Sequence, residues 1–160
     1  PGLRSQTAGN PHEARGMNLL TTPDFSHGLL ELFNPPGLYD PSANGYSHVA
    51  VVRLPARVIH VAGQGGEDAQ GRLSPSFEDQ VGQALDNLQT ALRSAQASLV
   101  DVARLRILVV GHDEDRLGII AHQVRRRWPN RAAPTCTLIP VPRLALDGML
   151  FEIEAEAYAA

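Results

Sequence analysis

At 160 residues, 43% hydrophobic and 19% charged, the chain has the length and make-up of one ordinary globular domain with its own core. Fourteen basic against 17 acidic side chains give a net charge of -3, which offers no electrostatic reason to seek nucleic-acid backbones or anionic lipid. The single cysteine excludes an intrachain disulfide and no apolar run nears the roughly 18 residues of a membrane span, so a cytoplasmic protein is expected.

Residues 1–16, "PGLRSQTAGNPHEARG", lack the apolar stretch of a signal peptide. They read as a floppy tail outside the fold, either an expression remnant or an upstream extension before Met17. Residues 17–160 read as a single domain with its core at about 34–158. Proline and glycine dominate from Met17 to Pro41, and the apolar patch Leu29, Leu30, Leu32 and Phe33 suggests one helical turn within a loop. "SHVAVVRLPARVIHVAGQGG" gives two β-branched runs parted by Leu54-Pro55-Ala56-Arg57, the pattern of a hairpin with strands near 48–53 and 57–62.

Phe77, Val81, Leu85, Leu88, Leu92 and Ala95 recur at spacings of three and four and so build one apolar face of a helix. Its cap is Ser74 before Pro75, or Ser76, and Glu78 and Asp79 occupy the first turn, where the helix dipole favours negative charge. Residues 102–111 form the next strand. A second helix follows through "HDEDRLGIIAHQVRRRW", with Asp113 as cap and Leu117, Ile120, Val124 and Trp128 facing inward. Two strands close the chain at 135–141 and 149–158, joined through the turn signal Asp147-Gly148.

The order β-β-α-β-α-β-β predicts an α+β layer domain, a mixed sheet with two helices on one face. No element is left for the other face. Either the sheet associates with further copies, or it curves onto its neighbours.

In the strand 135–141, alternation puts Cys136, Leu138 and Pro140 on one side, with Thr135, Thr137, Ile139 and Val141 on the other. Glu152, Glu154 and Glu156 share one side of the last strand, opposite Phe151 and Ile153. They point to solvent or to a cleft, and a solvated stripe is the plainer reading for Glu154 and Glu156. Cys136 is read as a small packing thiol in preference to a nucleophile, because no activating base is placed beside it. His48 and His60 lie on neighbouring strands, but six scattered histidines have no metal-ligand spacing. "GQGGEDAQG" is read as a turn rather than a phosphate cradle, and "RRRW" as a solvated basic patch complementing a helix end.

Four motifs in order carry a resemblance: "NGYSH", "VAGQGGEDAQGRL", "FEDQVGQALDNLQTALRSAQASLVDVARLRILV" and the closing "FEIEAEA". Over about Asn34 to Ala157 the chain resembles the Rid family of reactive intermediate deaminases, also called YjgF. The resemblance implies a chorismate-mutase-like fold and a homotrimer with small-molecule clefts between subunits, which would cover the open sheet face. It implies hydrolysis of enamines and imines to 2-keto acids and ammonia, with neither metal nor organic cofactor. Membrane and nucleic-acid partners are not expected, although some members carry an endoribonuclease label.

In the family pattern an arginine within Pro-Ala-Arg-Ser holds the substrate carboxylate, and here the stretch is Pro134-Thr135-Cys136-Thr137. Glu152 matches the water-positioning glutamate and is the expected catalytic residue. Tyr46 and Ser47 match the family's aromatic and hydroxyl pair, although both could equally serve the first strand structurally. Gly63 and Gly65 are candidates for letting a ligand approach the backbone.

With cysteine at the arginine position, a guanidinium fork worth roughly 1.5–3 kcal/mol is missing. Three consequences stay open: a substrate without a carboxylate, another cation such as Arg143 or Arg131 reaching the cleft, or lost imine chemistry. The second functional class is a catalytically silent trimer that binds a small metabolite.

Overall fold

The computed structural model describes residues 28–160. Eight principal elements follow in order: β1 (Leu30–Phe33), β2 (Val49–Val52), β3 (Arg57–Gly65), α1 (Phe77–Ser94), β4 (Val102–Val110), α2 (Glu114–Arg127), β5 (Thr135–Val141) and β6 (Phe151–Ala159). The expected floppy tail, residues 1–16, lies outside the described residues.

The main sheet has the order β3-β6-β4-β5. β6 runs antiparallel to both β3 and β4, whereas β5 lies parallel to β4, so the sheet is mixed. β6 alternates buried and half-buried along its whole length, which puts Phe151, Ile153, Ala155 and Ala157 under the helices. Val81, Leu85, Leu88 and Leu92 of α1 and Ile120 and Val124 of α2 complete that core with Leu105, Ile107 and Val109 of β4. The expected caps form: the Ser76 side chain accepts from the Asp79 amide, and Asp113 accepts from the Arg116 amide.

Two sequence expectations need correction. Residues 30–33 form a strand and not a helical turn. Residues 57–62 do not form a hairpin with 48–53: β2 pairs antiparallel with β1, and β3 pairs with β6. The reason lies in the pairing, since the β2 ladder is taken by β1 and the β3 ladder by β6, which the alternation within each run does not specify. β1 then satisfies the β2 ladder, which the Arg53 amide extends to the Leu29 carbonyl.

Both helices lie on one face. The opposite face carries two cross-strand ion pairs, Arg104 with Glu156 at 3.3 Å and Arg106 with Glu154 at 2.8 Å. The expected solvated stripe is therefore a neutralised ladder, beside which Val58 and Ile139 remain exposed.

Candidate functional site

Glu152 stands on this open face near the start of β6. β3 bulges between Val61 and Gln64, so that one extra residue opposes β6, and the bulge brings the Gly63 backbone against the Glu152 side chain. A Cβ on Gly63 would run into Glu152 Oε1 and Cδ, which makes glycine a condition of the carboxylate's position. At Gly65 the space of a Cβ is taken by the Glu67 carboxylate and the Met149 methyl. Burial raises the pKa of Glu152 above the ordinary carboxylate value, and the negative charges of Glu154 and Glu67 raise it further. The result is a half-buried acid with strengthened basicity.

Cys136 belongs to a different place. Its partner across the sheet is Leu105, whereas the partner of Glu152 on the same strand is Leu108. Positions three apart on a strand face opposite ways, so Cys136 points to the helix side and Glu152 away from it. There a cleft of about 520 Å³ opens between β5 and α2, with Leu117, Ile120 and Val124 on one wall and Ile107, Leu138 and Pro140 on the other. Burial pushes the Cys136 thiol up to about 12, so at neutral pH it stays protonated and packs against the core.

Tyr46 closes one end of the cleft. Its hydroxyl hydrogen-bonds that of Tyr39, which with burial pushes it up to about 12. Both rings meet His48 edge-on, at centroid distances of 5.6 Å for Tyr46 and 5.1 Å for Tyr39. His60 lies apart, on the open face beside Arg104 and Arg106.

The structure thus joins Glu152 to Gly63, and Cys136 to Tyr46. It leaves two expected ligand contacts outside both groups. Ser47 is 2% exposed and donates to the Ala133 carbonyl at 2.6 Å, while its amide donates to Pro134; it ties the chain before β2 to the start of β5. Arg143 sits in the β5–β6 turn, held by Asp147 at 3.2 Å and the Leu144 carbonyl at 3.3 Å. Arg131 donates to Val100, at 3.3 Å. The basic patch is also less solvated than expected, since Arg125 donates to the Ala43 carbonyl and Arg127 pairs with Asp86.

Sequence reasoning missed Glu67, Tyr39 and His112. Glu67 was read as part of a turn, and its closeness to Glu152 follows only from the bulge. His112 precedes the cap of α2 and lines the cleft, where its Nδ1 is buried without a hydrogen-bond partner among the described residues.

A family model described as Endoribonuclease L-PSP matches residues 39–159. The chain belongs to the Rid (YjgF) family. Among solved structures, the Rid protein YyfB from Yersinia pestis is 35% identical, with a TM-score of 0.76, over 81% of this chain and 98% of that one. A Mycobacterium tuberculosis member of the YjgF/YER057c/UK114 family is 29% identical, with a TM-score of 0.56, over 81% of this chain and 99% of that one. E. coli TdcF, solved with bound serine, is 22% identical with a TM-score of 0.57 over 68% of this chain and 85% of that one, a likeness of fold alone. No curated protein matches the chain.

In this Rid protein no arginine among the described residues lines the cleft around Cys136, the position of the family's carboxylate-holding arginine by the resemblance. No helix among the described residues is long and apolar enough to cross a membrane.

Proposed function

We propose that this Rid protein is a hydrolase of small reactive enamines or imines that works without metal or organic cofactor in clefts between the subunits of a homotrimer. The observation that carries the reading is Glu152, a half-buried carboxylate with a raised pKa, held against the Gly63 backbone on a sheet face that both helices leave open. The Cys136 cleft opens on the other sheet face, so a site that uses both draws Glu152 from one copy and the cleft from another.

The chemistry asked of these residues is modest. The Glu152 carboxylate takes a proton from water as the water oxygen bonds to the imine carbon, and the C=N π pair moves to nitrogen. That proton passes to nitrogen to give the carbinolamine; the carboxylate then carries the hydroxyl proton to nitrogen, and as the C=O bond forms the C–N bond breaks and its electron pair leaves with ammonia. The chain has no lysine, so no side-chain amine is present to form a Schiff base with the product.

The test is ammonia release from enzymatically generated imines by the wild type and by Glu152→Gln. The variant is expected to lose about 10²–10⁴-fold in kcat/KM with its assembly unchanged. A fully active variant removes the role given to Glu152. The second reading, a silent metabolite-binding trimer, is favoured by the protonated thiol at the arginine position and predicts saturable binding without turnover of any imine.

A further inference from the structure

We propose that the Cys136 cleft selects imines that carry an apolar body and no carboxylate, the products of two-electron oxidation of hydrophobic primary amines; this rests on the imine-hydrolase reading above. The walls built by Leu117, Ile120, Val124, Ile107, Leu138 and Pro140 offer hydrocarbon contact, and about 520 Å³ lies within the range of clefts that hold small organic molecules. Among the described residues neither arginine nor lysine lines the cleft, and the arginines adjoining its lining residues in sequence have other partners: Arg106 pairs with Glu154, Arg116 meets the Val110 carbonyl and the Phe77 ring, and Arg125 donates to the Ala43 carbonyl.

An α-imino acid bears its carboxylate on the reacting carbon. It cannot bring that carbon into the cleft and leave the charge in water. Desolvating a carboxylate without a cation is among the costliest events in a protein interior, so these walls discriminate against the charged substrate as much as they attract the neutral one. Neutral polar contacts are nevertheless offered. Asn44 and Thr137 line the same cleft with Tyr39 and Tyr46, and their neutral groups suit an N–H or hydroxyl on the ligand without a charge.

The reaction balances without a redox partner: R–CH=NH and water give R–CHO and ammonia. The step that supplies the substrate is the oxidation of R–CH₂–NH₂, and the step that consumes the product is oxidation or reduction of an aldehyde.

The experiment compares two imines made in the assay, one from isoamylamine with an amine oxidase and one from L-leucine with an amino-acid oxidase, each read by competition with a semicarbazide trap. Wild type is expected to favour the carboxylate-free imine by at least about tenfold in kcat/KM, and Cys136→Arg to shift the preference towards the imino acid. Equal or greater activity on the imino acid overturns the inference and leaves the hydrolase reading standing.

If neither imine is accelerated, the hydrolase reading fails, and calorimetry with isovaleramide and 4-methyl-2-oxopentanoate then decides the ligand class. Binding of the neutral amide alone, weakened at least about tenfold when Cys136→Trp fills the cleft, sustains the inference. Tighter binding of the keto acid, or no binding of either, overturns it.

Discussion

Glu152 titrates under three influences that act in the same direction: burial first, then the charges of Glu154 and Glu67. A raised carboxylate pKa moves the acid limb of kcat/KM upward, to a pH above that of an ordinary glutamate. Glu67→Gln removes one of the negative neighbours, and the limb is expected to move back towards lower pH in a pH–rate profile; an unmoved limb would separate Glu67 from the site. The linkage to stability has the opposite sense from that of an ion-paired acid. The fold holds the Glu152 proton more tightly than the unfolded chain does, so stability is lost as pH rises from the ordinary carboxylate value through the folded one. Glu152→Gln is therefore expected to unfold at the same or a higher temperature than wild type at pH 7. Gly63→Ala should separate position from chemistry, because the added methyl meets the mobile end of Glu152 and not the backbone. It is expected to fold normally and lose about tenfold or more in kcat/KM, as misplaced catalytic groups do. Glu152 was legible in the sequence because the alternation of "FEIEAEA" and the family resemblance both single it out. His112 was not, since only the stand-off between α2 and β5 gives it a cleft to line.

The elements differ in how far sequence determined them. α1 and α2 could be read because their periodic faces and their caps, Ser76 and Asp113, are local properties. Strand partners are not local. β3 could be seen as a strand, but its pairing with β6 joins residues about a hundred positions apart and has no sequence signal of its own. Gln80 shows the same limit from the helix side. On α1 it falls beside the apolar face, is fully buried, and donates to the Ser74 carbonyl at 2.7 Å and the Gly148 carbonyl at 2.8 Å while accepting from the Leu150 amide at 2.8 Å. One side chain thus ties the start of α1 to the turn and strand that present Glu152. Gln80→Leu keeps the bulk and orphans three backbone groups, for which about 2–4 kcal/mol of lost stability is expected. Chemical denaturation would check it, and an unchanged midpoint would mean that water or a shifted backbone takes over all three.

At the scale of the molecule, the decisive relation is that Cys136 and Glu152 face opposite ways from one sheet. Mixing two inactive variants tests whether they meet across copies. Glu152→Gln keeps the cleft and Cys136→Trp keeps the carboxylate; after joint refolding at equal amounts, about a quarter of the interfaces of a cyclic trimer combine the intact halves. Activity near that fraction is expected, and none at all would argue for a site within one chain. The neutralised ladder of Arg104, Arg106, Glu154 and Glu156 bears on the same assembly, because ion pairs already matched within a chain can be covered by another without stranding a charge. When the two halves of a site belong to different chains, dissociation disables every site, and specific activity becomes a function of protein concentration.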